Sequence, residues 1–117
     1  MPAILNLCTA LSTAATGAQP GIRLNRTPFK GGYGRDAILS SSGPAPAIPA
    51  GVTVLIQGSP LVQNNVPATG DASWVTLLTL TSTSKLRQEI PELPYFIRVN
   101  VSVAAAGAVT LDLEQTT

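Results

Sequence analysis

The sequence predicts an all-β protein: a single antiparallel β-sandwich, of jelly-roll or Ig-like type, with a long extended arm in its N-terminal part. Three observations predict it. Ten glycines and ten prolines punctuate the 117 residues so often that no long helical stretch survives. The apolar runs are rich in Val, Ile, Leu and Thr, residues that suit a pleated surface. Several of these runs alternate apolar and polar residues with period two, which puts one face in a core and the other in water.

Taken in chain order, residues 4–9, 22–26 and 37–41 are short strand candidates with weak alternation. Residues 14–50 carry little periodicity. They hold Gly17, Pro20-Gly21, Gly31-Gly32, Gly34 and a Pro-rich run over 40–49, a composition expected of an extended segment. Residues 51–59 (GVTVLIQGS) form a strand apolar on both faces and therefore central. Residues 60–72, with two prolines, Asn-Asn and Gly-Asp, read as a surface loop. Residues 73–81 (SWVTLLTLT) form the next strand and carry the single tryptophan, Trp74. Residues 83–90 have the most helix-like composition of the chain, closed by Pro91, and predict a short helical turn.

The two clearest strands come last. Over 96–103, Ile97, Val99, Val101 and Val103 alternate with Arg98, Asn100 and Ser102. Over 107–114, Val109, Leu111 and Leu113 alternate with Thr110, Asp112 and Glu114. The short run Ala104-Ala105-Ala106-Gly107 between them predicts an antiparallel hairpin. The candidate core is Trp74, Ile97, Val99, Val101, Val109 and Leu111. The chain divides into residues 1–50, an N-terminal strand plus a Gly/Pro-rich arm packed in the same domain or ordered by partners, and residues 51–117, the sandwich body.

Composition narrows the function. Charged residues make up 11% of the chain, well below the roughly 25% of an average soluble domain. Such a surface is better covered by copies of itself or by a partner than left in water. The net charge of +1 offers no global field for nucleic acid or an anionic membrane. No apolar stretch reaches the ~18 residues of a membrane span. The opening apolar run lacks a preceding basic residue and is interrupted by Asn6, Thr9, Ser12 and Thr13, so it reads as structure rather than a signal peptide. Cys8 is the single cysteine, which excludes an intrachain disulfide and suits a small core hydrophobe.

Chemistry is sparse. The chain has no histidine, which removes the commonest general base and most zinc sites. The six acids fall on wet strand faces or in loops, and no catalytic site, metal or cofactor is expected. The run Gly31-Gly32-Tyr33-Gly34-Arg35 lacks the helix and the Lys-Ser/Thr of a phosphate loop. Arg23, Arg26, Lys30 and Arg35, interleaved with Phe29 and Tyr33, lie in a stretch without acids. Arg with aromatic residues is what protein interfaces favour at their energetic centres, so these six are the candidate partner contacts.

The order of elements from residue 51 onward resembles small virion proteins of tailed phages. The residues that carry the resemblance are VTVLIQGS (52–59), the W-x-x-L of 74–77, EIPELP (89–94) running into YFIRVNV (95–101), and GAVTL (107–111). The chain departs from that pattern in the loop after Gly58-Ser59, which is longer and lacks an Asp-Gly pair. The resemblance implies a structural virion protein, most specifically a capsid decoration (cement) protein that binds the major capsid protein and bridges capsomers. It also implies a homo-oligomer, with a trimer favoured, made in the host cytoplasm and located on the capsid surface. The alternatives are a head–tail connector or tail protein, and a carbohydrate-binding receptor module using Trp74 and Tyr95 as stacking surfaces.

Overall fold

The structure, a computed structural model, describes residues 3–24, 37–41, 47–61, 63–90 and 93–115. Among them there is no helix, and nine strands make two antiparallel sheets. The strands are β1 (Ala3–Ser12), β2 (Gly17–Ala18), β3 (Ile22–Arg23), β4 (Ala37–Ser41), β5 (Thr53–Ser59), β6 (Val75–Leu80), β7 (Arg87–Ile90), β8 (Phe96–Val103) and β9 (Ala108–Gln115). The first sheet has the order β1-β9-β4-β7. The second has the order β2-β8-β5-β6, with β3 also on β8. β2 and β3 follow one another along β8, at Val101–Asn100 and then at Ile97–Phe96, and behave as one edge strand broken at Pro20-Gly21.

The pairings are nested. β1 pairs with β9, the β2/β3 edge with β8, β4 with β7 and β5 with β6. The chain is thus one long hairpin, and the further pairs β4–β9 and β5–β8 roll it into two layers. Rolling brings the dry faces together. Leu39, Val54, Ile56, Ile90, Ile97, Val99, Val101, Val109, Leu111 and Leu113 are all buried in one aliphatic core. Each such side chain stabilises the fold by roughly 1.5–3 kcal/mol relative to exposure.

Several expectations change here. The runs at 96–103 and 108–115 are strands, but they do not form a hairpin. β8 belongs to the second sheet and β9 to the first, so residues 104–107 cross from one layer to the other. Period two fixes which face of a strand is dry; it does not choose the neighbour. The segment between β1 and β2 makes the reverse crossing beside it, and buried Thr13 ties the two together. Its N–H donates to Gly107 O at 3.0 Å, its hydroxyl to Ala105 O at 2.9 Å, and its carbonyl accepts from Ala105 N at 3.0 Å. Gly107 has φ +141°, and a Cβ there would strike the Pro49 ring at 2.5 Å.

The window 83–90 is not a helical turn. Arg87–Ile90 is β7, whose Ile90 fills the core beside β4. Where residues 14–49 are described, β2, β3 and β4 pair into both sheets, so strand pairing runs across residue 50; residues 25–36 and 42–46 of the expected arm lie outside the described residues. Trp74 is only half-buried and stands outside the aliphatic core.

Local sequence explains the irregular strands. In β6, Leu78 pairs with Ile56 and Thr76 with Gln57, leaving Leu77 as an extra residue. A bulge of this kind lets neighbouring side chains share one face, and Leu77 and Leu78 both pack on the core. Gly58 opposite is required, since a Cβ there would overlap the Pro94 ring and come within 3.0 Å of Leu77. β1 holds two bulges, between Asn6 and Cys8 and between Cys8 and Leu11. Within the second, Ala10 adopts φ +50°, and its N–H is satisfied by the Thr110 hydroxyl at 2.9 Å.

Candidate functional site

Alternation along β8 turns Phe96, Arg98 and Asn100 away from the core, onto the outer face of the second sheet. On the neighbouring strands, Gln57 and Thr76 share that face. They form a hydrogen-bonded row: Asn100 Nδ2 donates to Gln57 Oε1 at 3.2 Å, and Gln57 Nε2 donates to Thr76 Oγ1 at 3.3 Å. Arg98 joins the row through Nε, 2.9 Å from Gln57 Oε1.

Arg98 was expected on a wet face, yet only 7% of it is exposed. The loop before β6 folds back over it. Arg98 Nη1 donates to Thr69 O at 2.8 Å, and the guanidinium lies 4.4 Å from the centre of the Trp74 ring. The indole N–H of Trp74 is in turn bonded to Ala68 O at 2.9 Å. A Cβ on Gly21 would meet both Trp74 and Val66 at 2.7 Å, so only glycine lets this loop close against the broken β2/β3 edge.

Two serines and an aspartate complete the clamp. The hydroxyls of Ser59 and Ser73 are 2.6 Å apart, and Ser59 is fully buried beneath the loop. Asp71 Oδ1 accepts from Ser73 N at 2.8 Å, closing a tight Asx turn. The hydrogen bonds from Ser73 hold the Asp71 carboxyl below the ordinary aspartate range. Burial acts against the Arg98 charge and lowers its pKa. No carboxylate pairs with Arg98 among the described residues, where the ion pair is Arg87–Glu114 on the other sheet. Neutral acceptors and the indole ring hold the cation instead.

Of the six candidate partner contacts, Arg23 is described. It is exposed on β3, donates from Nη2 to the Tyr95 hydroxyl at 2.6 Å, and lies 5.1 Å from the centre of that ring. Arg26, Phe29, Lys30, Tyr33 and Arg35 lie outside the described residues. Ile97, Val99, Val101, Val109 and Leu111 are buried in the core. The tryptophan was read as a core plug or a stacking platform, and its place is different: it pins a loop to the sheet. Thr69, Ser59 and Gln57 were not singled out, and no local signal marks residues that meet only when a loop folds back.

Cys8 packs partly buried against the core, its Sγ 3.7 Å from Val109 O. Burial, above all, raises its thiol pKa. Among the described residues no group of three His, Cys, Asp or Glu side chains could hold a metal ion, and no helix is long and apolar enough to cross a membrane. A shallow, open, polar depression lined by Thr83, Ser84, Lys85, Arg87, Gln88 and Glu89 lies at the other sheet. Compared with protein-family models, curated proteins and solved structures, the chain has no match.

Proposed function

We propose that this chain is a structural, assembly-forming protein, and specifically a capsid decoration protein of a phage-like virion that binds the major capsid protein as a homo-oligomer. The observation that carries the reading is the clamped loop on the second sheet. Arg98, Trp74 and Ser59 tie Thr69, Ala68 and Ser73 down at the second sheet, so the loop that carries the exposed, uncharged Gln63, Asn64, Asn65 and Val66 is anchored at its base before any partner arrives. A preordered surface loses little conformational entropy on binding, which suits a protein that must hold on. The charge-poor composition and the resemblance of residues 51–114 point the same way.

The finer fold type belongs to this proposal. Counting the broken β2/β3 edge as one strand gives eight, paired first with last, second with seventh, third with sixth and fourth with fifth. That nesting supports a jelly roll over an Ig-like sandwich, an architecture found in viral capsid domains and also in lectins. Fold alone does not choose between such uses.

The test is location and stoichiometry in purified particles. A decoration protein is expected in copy numbers comparable to the major capsid protein, on the outer head surface in cryo-electron microscopy. Recovery at a few copies per particle, at the neck or tail, would replace this reading with the connector alternative. A second reading, a carbohydrate-binding receptor module, rests on Trp74 and Tyr95 both being only partly buried. Glycan-array binding lost on Trp74→Ala would favour it.

A further inference from the structure

The four sheet edges differ in how they are closed to other strands. β1 carries two bulges and a residue with positive φ, which break its regular edge. The β2/β3 edge is interrupted at Pro20-Gly21. β7 is four residues long and carries Arg87 and Glu89. These are the usual means by which an edge is protected from pairing with another chain. β6 is six residues of Val, Thr and Leu, and no charge occurs between Asp71 and Lys85. Its single bulge turns a second leucine toward the core and places no charge on the edge. Among the described residues nothing pairs with its outer side.

We propose that β6 is a self-pairing edge, joining two copies of this chain antiparallel across a two-fold axis. What covers a free edge must supply a matching row of N–H and C=O groups, and a β-strand does so. The second copy is favoured over an unrelated strand on three grounds. A two-fold pairs the strand with itself, so the hydrogen-bonding row is self-complementary. With no charge in 72–84, self-pairing opposes no like charges, the main penalty against identical strands. The side chains on the outer face are the small Thr76 and Thr79, and Val75, 42% exposed, stands at the strand's start, so a neighbour can approach closely. One strand pair alone covers less than the ~1,000 Å² of a stable interface, so the dimer is weak, with a dissociation constant in roughly the micromolar range. This inference deepens the assembly reading, but it is tested without any capsid. It is also independent of a trimer formed through another surface, since each copy in a trimer would keep its β6.

The full chain is examined by sedimentation velocity from about 1 to 500 μM. The expected result is an association that rises with concentration. The double variant Val75→Lys/Thr79→Lys, at two exposed positions, should sediment as the wild type does at its lowest concentration and should weaken association at least tenfold. Amide hydrogen exchange over residues 75–80 of the wild type should slow as concentration rises, and this measurement decides the matter if the variant fails to fold. A wild type that shows no concentration dependence overturns the inference. So does association that both lysines leave unweakened, or association without added protection of β6. Intact self-pairing in a protein absent from capsids would instead remove the decoration reading and leave this one standing.

Discussion

The two outer faces of the sandwich are built to opposite plans. On the first sheet, exposed Arg87 and Glu89 stand beside half-buried Asp112 and Glu114, and Arg87 pairs with Glu114 at 2.9 Å. On the second, an arginine is buried under a loop and held by neutral groups. Both faces begin from the same signal, polar residues alternating with a buried row. The difference comes from residues 63–74, which fold back over one face and have no counterpart on the other among the described residues. Alternation therefore says that a residue leaves the core, and a distant loop decides whether it reaches water.

The largest effect that would break this comparison is in the core both faces share. Leu111→Ala removes a fully buried side chain from β9 between β1 and β4. It should cost about 3 kcal/mol, read as a lower denaturation midpoint with little change in slope. Next comes the lidded face. Arg98→Ala deletes two hydrogen bonds and the stack on Trp74, and should cost about 2 kcal/mol. Limited proteolysis should then cut within residues 63–73 first, whereas an unchanged cleavage pattern would mean the loop holds itself. Arg98→Lys should fall between, because an ammonium cannot reach Gln57 and Thr69 with the same fork.

Thr13→Val keeps the shape of a buried side chain but removes its bond to Ala105 O, and should cost about 1–2 kcal/mol in thermal or urea unfolding. On the open face, a double-mutant cycle on Arg87 and Glu114 should give a coupling of about 0.5 kcal/mol or less, fading with salt, because the arginine side chain is 57% exposed. The smallest effect is a pH dependence. The Asp71 carboxyl is held below its ordinary value of 3.8, so its bonds to Ser73 are present above that pH. They are lost as the pH falls through the lowered value. The Ser73 amide resonance should therefore titrate with a midpoint under 3.8.

Much of the sandwich was legible because strands announce themselves locally. The alternation of Ile97, Val99, Val101 and of Val109, Leu111, Leu113 gave both strands and their dry faces. The pairing was not legible: Ala104–Gly107 looked like a hairpin turn, and Thr13, more than ninety residues away, ties it into a crossing instead. Residues 83–90 misled because Lys85, Leu86 and Gln88 suit a helix, while the core needed Ile90 beside β4. Trp74 misled because a lone large ring in an aliphatic chain invites a place in the core. The clamp could not be read, since its parts come from four separate stretches of sequence and each is ordinary alone.

The nested pairing has a consequence in time as well as in space. Among the described residues β1 has one partner strand, β9, and their register joins Ala3 to Gln115. At roughly 5–20 residues per second on a ribosome, the first strand waits on the order of ten seconds for its mate. Until then its row of apolar side chains has nothing to close against. A topology so dominated by distant pairings folds in the slow range, about milliseconds to seconds, once the last strand is out. The interval before closure is when this chain is most open to capture by other strands.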